Sequence, residues 1–233
     1  MTKKGKSVRL EKDLYPIVAK WLKRQRKCFK SAINTGLKHG RIDVVGIRDV
    51  GGDLSGEIET VSIEVKRDSA PFATATGQAL GYKVYANRIY LAEQRPKAFT
   101  SEEVEIAGHL GVGLIRITGA KCHEELSSPY YRPITRMNML LIEKLGLGAC
   151  QLCGTVFEIG NDPQRNKWSN LHRTDLAKAI KDERGLMFWN DELGNRKHKL
   201  GIRVTKGGLV FERRFLCPGC VSNIFAPLLP EAD

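Results

Sequence analysis

The sequence predicts an α/β protein in which a mixed central sheet is flanked by helices and followed by a smaller α+β unit clipped by a metal. Three observations predict it. Apolar periodicity along the first half of the chain changes in the order helix, three strands, helix, strand, helix, strand. Two of those strand-like runs, Gly40-Arg41-Ile42-Asp43-Val44-Val45-Gly46-Ile47 and Val61-Ser62-Ile63-Glu64-Val65-Lys66-Arg67-Asp68, carry charges among Val and Ile. Two Cys-x-x-Cys pairs stand near the C-terminus. With 233 residues, 42% of them hydrophobic, the chain is long enough to bury a core and one appended unit.

The first element covers residues 10–27, where Leu10, Leu14, Ile17, Val18, Trp21 and Leu22 recur at helical spacing with Lys and Arg opposite. A proline is tolerated in a first helical turn, so Pro16 moves the expected start to Asp13 or Leu14, or else bends the helix. Residues 28–35, 41–47 and 57–66 read as three strands, the first two joined by a turn over 36–40. The Gly- and Asp-rich stretch 49–60 makes the second and third a hairpin, which brings Asp43 beside Glu64. Side chains alternate along a strand, so Glu64 and Lys66 share one face while Ile63 and Val65 take the other.

A helix over 73–86 sets Gln78 and Tyr82 four apart on one face. A strand over 88–92, a helix over 101–109 with Ser101 as its N-cap, and a strand over 112–117 complete the core. Ser127, Ser128, Pro129 and Pro133 then mark a connection, followed by a helix over 134–145. The expected division is a core over 1–120, a helical connector over 121–148 and a cysteine-rich unit over 149–233.

Charge is concentrated at the start. The formal net charge is +12, and residues 1–41 hold thirteen Lys and Arg against Glu11 and Asp13, leaving the remainder almost neutral. Such a field is an electrostatic footprint for a polyanion, with nucleic acid the default candidate. The side chains chosen for that contact are Lys23, Arg24, Lys27, Lys38 and Arg41, with Arg165 and Lys167 in the C-terminal half and Trp168 available for stacking. No run approaches the roughly 18 apolar residues of a membrane helix and no apolar signal core opens the chain, so a cytoplasmic protein is expected. Thiols or metal ligands are expected there rather than disulfides.

Phosphodiester hydrolysis needs a hard cation, and carboxylates close together are its natural ligands. Asp43 with Glu64-x-Lys66 resembles the motif of the PD-(D/E)xK nuclease superfamily, over roughly residues 8–120. The resemblance implies a restriction-endonuclease-like αβββαβ core and a Mg2+-dependent (or Mn2+-dependent) DNA endonuclease of restriction, repair or phage-defence type. It also implies that Asp43, Glu64 and the Val65 carbonyl hold the ion, and that Lys66 acts on the attacking water or on the pentavalent charge. A further acid from the first helix is implied, with Glu11 chosen and Asp13 its competitor, although either could simply cap the helix. Gln78 followed by Tyr82 is similar to the helix of the RecB-type and Mrr-like branches, where the glutamine shapes the site. A structure-specific junction or single-strand nuclease, acting on branched DNA or RNA, stays open, as does a non-catalytic nucleic-acid-binding module. Cutting two strands with one centre per chain further suggests a homodimer.

Cys150, Cys153, Cys217 and Cys220 form two pairs with 63 residues between them. Each pair can clip half of a tetrahedral site, so together they read as a four-cysteine Zn2+ site resembling the knuckles of zinc ribbons. The long separation requires an insert, in which a helix over 174–183 and a hairpin with arms over 200–204 and 209–216 are expected. The zinc unit is a candidate contact for a protein partner. His172 is set aside as a ligand because four thiolates fill the site, and Cys28 and Cys122 read as ordinary thiols.

Overall fold

The computed structural model describes residues 10–37, 40–51, 57–67, 71–150, 152–159, 167–168, 180–182, 186–188, 204–205, 208–209 and 214–228. The chain separates into two compact units, Met1–Gly52 with Ile58–Leu141, and Asp53–Glu57 with Ile142–Asp233.

The first unit is built on a six-stranded mixed sheet, β1 (Lys30–Leu37), β2 (Gly40–Asp49), β3 (Ile58–Arg67), β4 (Arg88–Gln94), β5 (Gly113–Thr118) and β6 (Lys121–Leu126), ordered as numbered. Neighbours β1 to β3 are antiparallel, β3 to β5 parallel, and β6 antiparallel to β5. The parallel steps are made by crossover helices α2 (Phe72–Gly81) and α3 (Ser101–Leu110), as parallel neighbours require.

Helix α1 (Tyr15–Gln25) follows a 3-10 turn at Glu11–Asp13, and Pro16 falls in its first turn, where no intrahelical N–H is lost. Its apolar stripe of Leu14, Val18, Trp21 and Leu22 packs on Val44, Val61, Ile63 and Val65. Gly46 permits that approach, because a Cβ there would come within 2.7 Å of Cys28 Sγ. Residues of opposite parity, among them Val45, Ile47, Ile89 and Leu91, are also buried, so both faces of the sheet are covered.

Two readings of this unit need correction. Lys121–Leu126, expected within a helical connector, is a strand: β6 is an edge strand, so its face needs only Cys122 packed against the core and otherwise carries Lys, His and Glu. The N-cap of α3 is Thr100 and not Ser101, because Thr100 Oγ1 accepts from Glu103 N at 3.2 Å while Glu103 reaches back to Thr100 N at 2.7 Å. Helix α4 (Thr135–Lys144) matches the helix expected over 134–145.

In the second unit, β7 (Leu147–Ala149) and β8 (Val156–Glu158) form a hairpin. Strand β10 (Leu186–Phe188) lies between β9 (Lys167–Trp168) and β13 (Arg214–Leu216), while β11 (Val204–Thr205) pairs with β12 (Gly208–Leu209). Of the hairpin expected over 200–216, the described residues 204–205 and 208–209 do pair, whereas 214–216, read as the end of its second arm, pairs with β10 instead; the rest of both arms lies outside the described residues. Phe215, 1% exposed, is drawn into a small core with Ile159 and Phe157. Most of the helix expected over 174–183 lies outside the described residues. Helix α5 (Pro218–Phe225) ends the unit. No helix among the described residues is long and apolar enough to cross a membrane.

Candidate active site

The β2–β3 register pairs Val44 with Ile63, which puts Asp43 opposite Glu64. Asp43, Glu64 and Lys66 alternate with residues of the α1-facing core, so all three leave the sheet on the other face. Lys66 Nζ lies 2.6 Å from Glu64 Oε1 and 3.8 Å from Glu11 Oε1. Asp43 Oδ2 accepts the Val65 N–H at 2.8 Å, and its Oδ1 accepts the Tyr15 hydroxyl at 2.9 Å. Tyr15 also stands 3.4 Å from Glu11 Oε1. The Tyr82 hydroxyl contacts both Glu64 Oε2 and the Arg41 carbonyl oxygen, and its single proton serves one of them at a time. Each oxygen of the two carboxylates thus has a donor group from the protein beside it.

Burial pushes the Glu64 carboxyl above the usual range, against the pull of Lys66 and Tyr82. Burial also works against the Lys66 ammonium, yet Glu64, with Glu11 and Asp43, holds its pKa above the ordinary lysine value. The 2.6 Å contact favours the ion pair, because a neutral acid would leave the Lys66 ammonium, only 16% exposed, without its closest counter-charge. Lys66 is then a cation rather than a base at neutral pH. Burial first, then the nearby carboxylates, raise the Tyr15 and Tyr82 hydroxyls, which therefore remain neutral donors.

A cleft of about 520 Å³ opens over Asp43 and Glu64, bordered by Arg41, Gln78, Tyr82 and Tyr85. Gln78 is at its edge and hydrogen-bonds neither acid. Asp13 spends its carboxylate on the Leu10 N–H at 2.8 Å, so Glu11 is the acid of the first turn that approaches the trio. Lys23, Arg24, Lys27 and Arg41 are exposed. Lys38, Arg165 and His172 lie outside the described residues, and Lys167 is described in its backbone alone. Tyr15 is the participant that sequence reasoning missed; its one signal was its place four residues after Glu11.

The four cysteines do come together. Their Sγ atoms all lie within 4.8 Å of one another, with Cys153 and Cys217 3.6 Å apart. Tetrahedral bonds of about 2.3 Å place sulfurs about 3.8 Å apart, so the group is able to bind a metal ion such as zinc. The first pair is shaped by the β7–β8 turn, where Gly154, at φ +77°, donates to the Cys150 carbonyl at 3.0 Å. In the second pair Cys217 caps α5, and its sulfur accepts from Cys220 N at 3.4 Å. The Thr155 hydroxyl and amide bring the Cys153 thiol down to about 6, while burial and the neighbouring sulfurs push Cys217 and Cys220 up. Four thiolates do not coexist at that spacing without a cation. Among the described residues these cysteines are the group of three or more His, Cys, Asp or Glu ligand atoms mutually that close; Glu11, Asp43 and Glu64 do not converge so tightly.

No family model and no curated protein matches the chain. Among solved structures, a protein of unknown function from Silicibacter pomeroyi is similar, at 19% identity over 60% of this chain and 85% of that one, with a TM-score of 0.42.

Proposed function

We propose that the chain is a metal-dependent DNA endonuclease on a restriction-endonuclease-like core, with a C-terminal unit clipped by structural zinc. The observation that carries the reading is the buried charge cluster at the cleft: Asp43 and Glu64 on paired strands, with Lys66 closed onto a carboxylate that is 5% exposed. Burying such groups costs several kcal/mol per ion in order of magnitude, while exposed pairs return about 0–1 kcal/mol, so stability alone does not account for them.

The donor set suits a hard divalent ion, because Asp43 and Glu64 offer carboxylate oxygens that would hold it. When bound, Mg2+ or Mn2+ neutralises phosphate oxygens and activates water. The chain's own residues have separable roles. Tyr15 and Tyr82 fix the orientation of the two carboxylates. Lys66 presents positive charge where negative charge builds on the phosphate. Arg41 and Gln78 border the cleft where the flanking phosphates would enter, and the basic first 41 residues draw the polyanion in.

The test is incubation of zinc-loaded protein with circular duplex, single-stranded DNA and RNA, each with Mg2+, Mn2+ or no added metal. Cleavage is expected only with metal, and is expected to vanish in Asp43→Ala and Glu64→Ala. The donors already beside each acid oxygen favour a second reading, a nucleic-acid-binding module without catalysis. Tight binding with no cleavage in any metal selects that reading.

A further inference from the structure

We propose that the cleft between α1 and the edge strand β6 is a second contact site for a nucleic-acid phosphate backbone, apart from the acid cluster. It extends the nucleic-acid part of the proposed function but does not depend on cleavage. The cleft holds about 680 Å³ and is bordered by Lys20, Arg24 and Arg26 of α1 and its end, and by Lys121 and Glu124 of β6, with Trp21 at its base.

Its charge is unbalanced. Four cations face one carboxylate, and Glu124 is already engaged by the Arg26 Nη2. Lys20, Arg24 and Lys121 are exposed and make no ion pair among the described residues. Lys20 and Arg24 are four apart on one helix face, so their charges add along a line rather than diverge.

Arg26 is the fixed element. Its guanidinium stands 5.6 Å from the Trp21 ring centroid and 5.2 Å from that of Tyr90, and its Nη2 meets Tyr90 and Glu124. Its Nε is buried with no hydrogen-bond partner. A clamped guanidinium with exposed lysine and arginine charges around it matches phosphodiester chemistry, in which position comes from a few fixed donors and affinity from the field. The C-terminal pole of α1 opposes an anion by about half a charge, which the three cations left after Glu124 pairs with Arg26 exceed.

The experiment is equilibrium binding of a labelled duplex and a labelled single strand, without added Mg2+ or Mn2+, across a salt series. Lys20→Glu/Arg24→Glu/Lys121→Glu is compared with Lys97→Glu/Arg132→Glu/Arg136→Glu, which makes the same charge change at exposed positions elsewhere in the unit. The cleft variant is expected to bind at least ten-fold more weakly than the control, with a salt slope lower by about 2 to 3, near 0.9 for each phosphate no longer neutralised. Equal weakening in the two variants, no weakening, or no binding by the wild type would overturn the proposal. Circular dichroism checks the folding of both, and Gln versions of the same triple replace any variant that fails to fold. Absence of cleavage with metal would count against the endonuclease reading alone, because this binding is read without it.

Discussion

The two clusters of ionisable groups in this protein are balanced in opposite ways. Around Asp43 and Glu64 the protein supplies its own compensation: Tyr15 and the Val65 amide on one carboxylate, Tyr82 and Lys66 on the other. Around Cys150, Cys153, Cys217 and Cys220 it supplies neutral donors and no cation: the amides of Leu152, Cys153 and Cys217 on Cys150, the Thr155 amide and hydroxyl on Cys153, and the Cys220 amide on Cys217. The acid cluster therefore carries its own counter-charge, whereas the sulfur cluster lacks one and is able to bind a metal ion such as zinc that would supply it. The contrast separates an ion that would act on substrate from an ion that would hold the chain.

The largest expected effect tests the second half of that contrast. Cys217→Ser, or removal of metal by a strong chelator, is expected to unfold the C-terminal unit, because structural zinc contributes on the order of 10 kcal/mol. Thermal melts with elemental analysis check this, with about one zinc per chain expected in the wild type. A folded, metal-free chain with Cys150 or Cys217 oxidised would erase the contrast.

Next in size, Lys66→Ala leaves Glu64 buried without its cation. We expect a loss of about 2–3 kcal/mol in urea unfolding, toward the low end for a broken buried pair because Lys66 is 16% exposed. An unchanged midpoint would mean that the acid cluster is not self-compensated. Tyr15→Phe removes one hydrogen bond to Asp43 and is expected to cost about 1–2 kcal/mol. Its effect on cleavage rate is expected to exceed its effect on substrate affinity if the tyrosine orients the carboxylate.

A further effect, confined to alkaline pH, concerns a thiol that belongs to neither cluster. Burial pushes Cys28 up to about 12 from an ordinary 9.0. The neutral thiol is thus favoured by the fold, and this contribution is complete below pH 9 and lost as the pH rises toward 12. Unfolding experiments from pH 8 to 11 are expected to show a shallower alkaline decline in Cys28→Ala than in the wild type.

Local chemistry was legible in the sequence, and pairing at a distance was not. The charged residues in β2 and β3 stood out because Val and Ile surround them, and their hairpin follows from the Gly-rich stretch between. Both cysteine pairs were legible as knuckles because each is a tetrapeptide. Strand β6 was missed because Lys-Cys-His-Glu-Glu-Leu has no apolar alternation, which an edge strand does not need. Tyr15 was missed because its partner Asp43 lies on another element, 28 residues away. The pairing of β13 with β10 was missed because strands of three residues show no apolar period and these two are joined by no short turn.

The most direct test compares zinc-loaded wild type with Glu64→Gln on circular duplex DNA in Mg2+, after melting curves have shown that both are folded. The amide keeps the shape of Glu64 and removes its charge. We expect nicking or linearisation by the wild type and at least a hundred-fold slower reaction by the variant. Equal rates in the two proteins, or no cleavage of any nucleic acid by the wild type, would contradict the assignment of Asp43, Glu64 and Lys66 as a phosphodiester-cleaving centre.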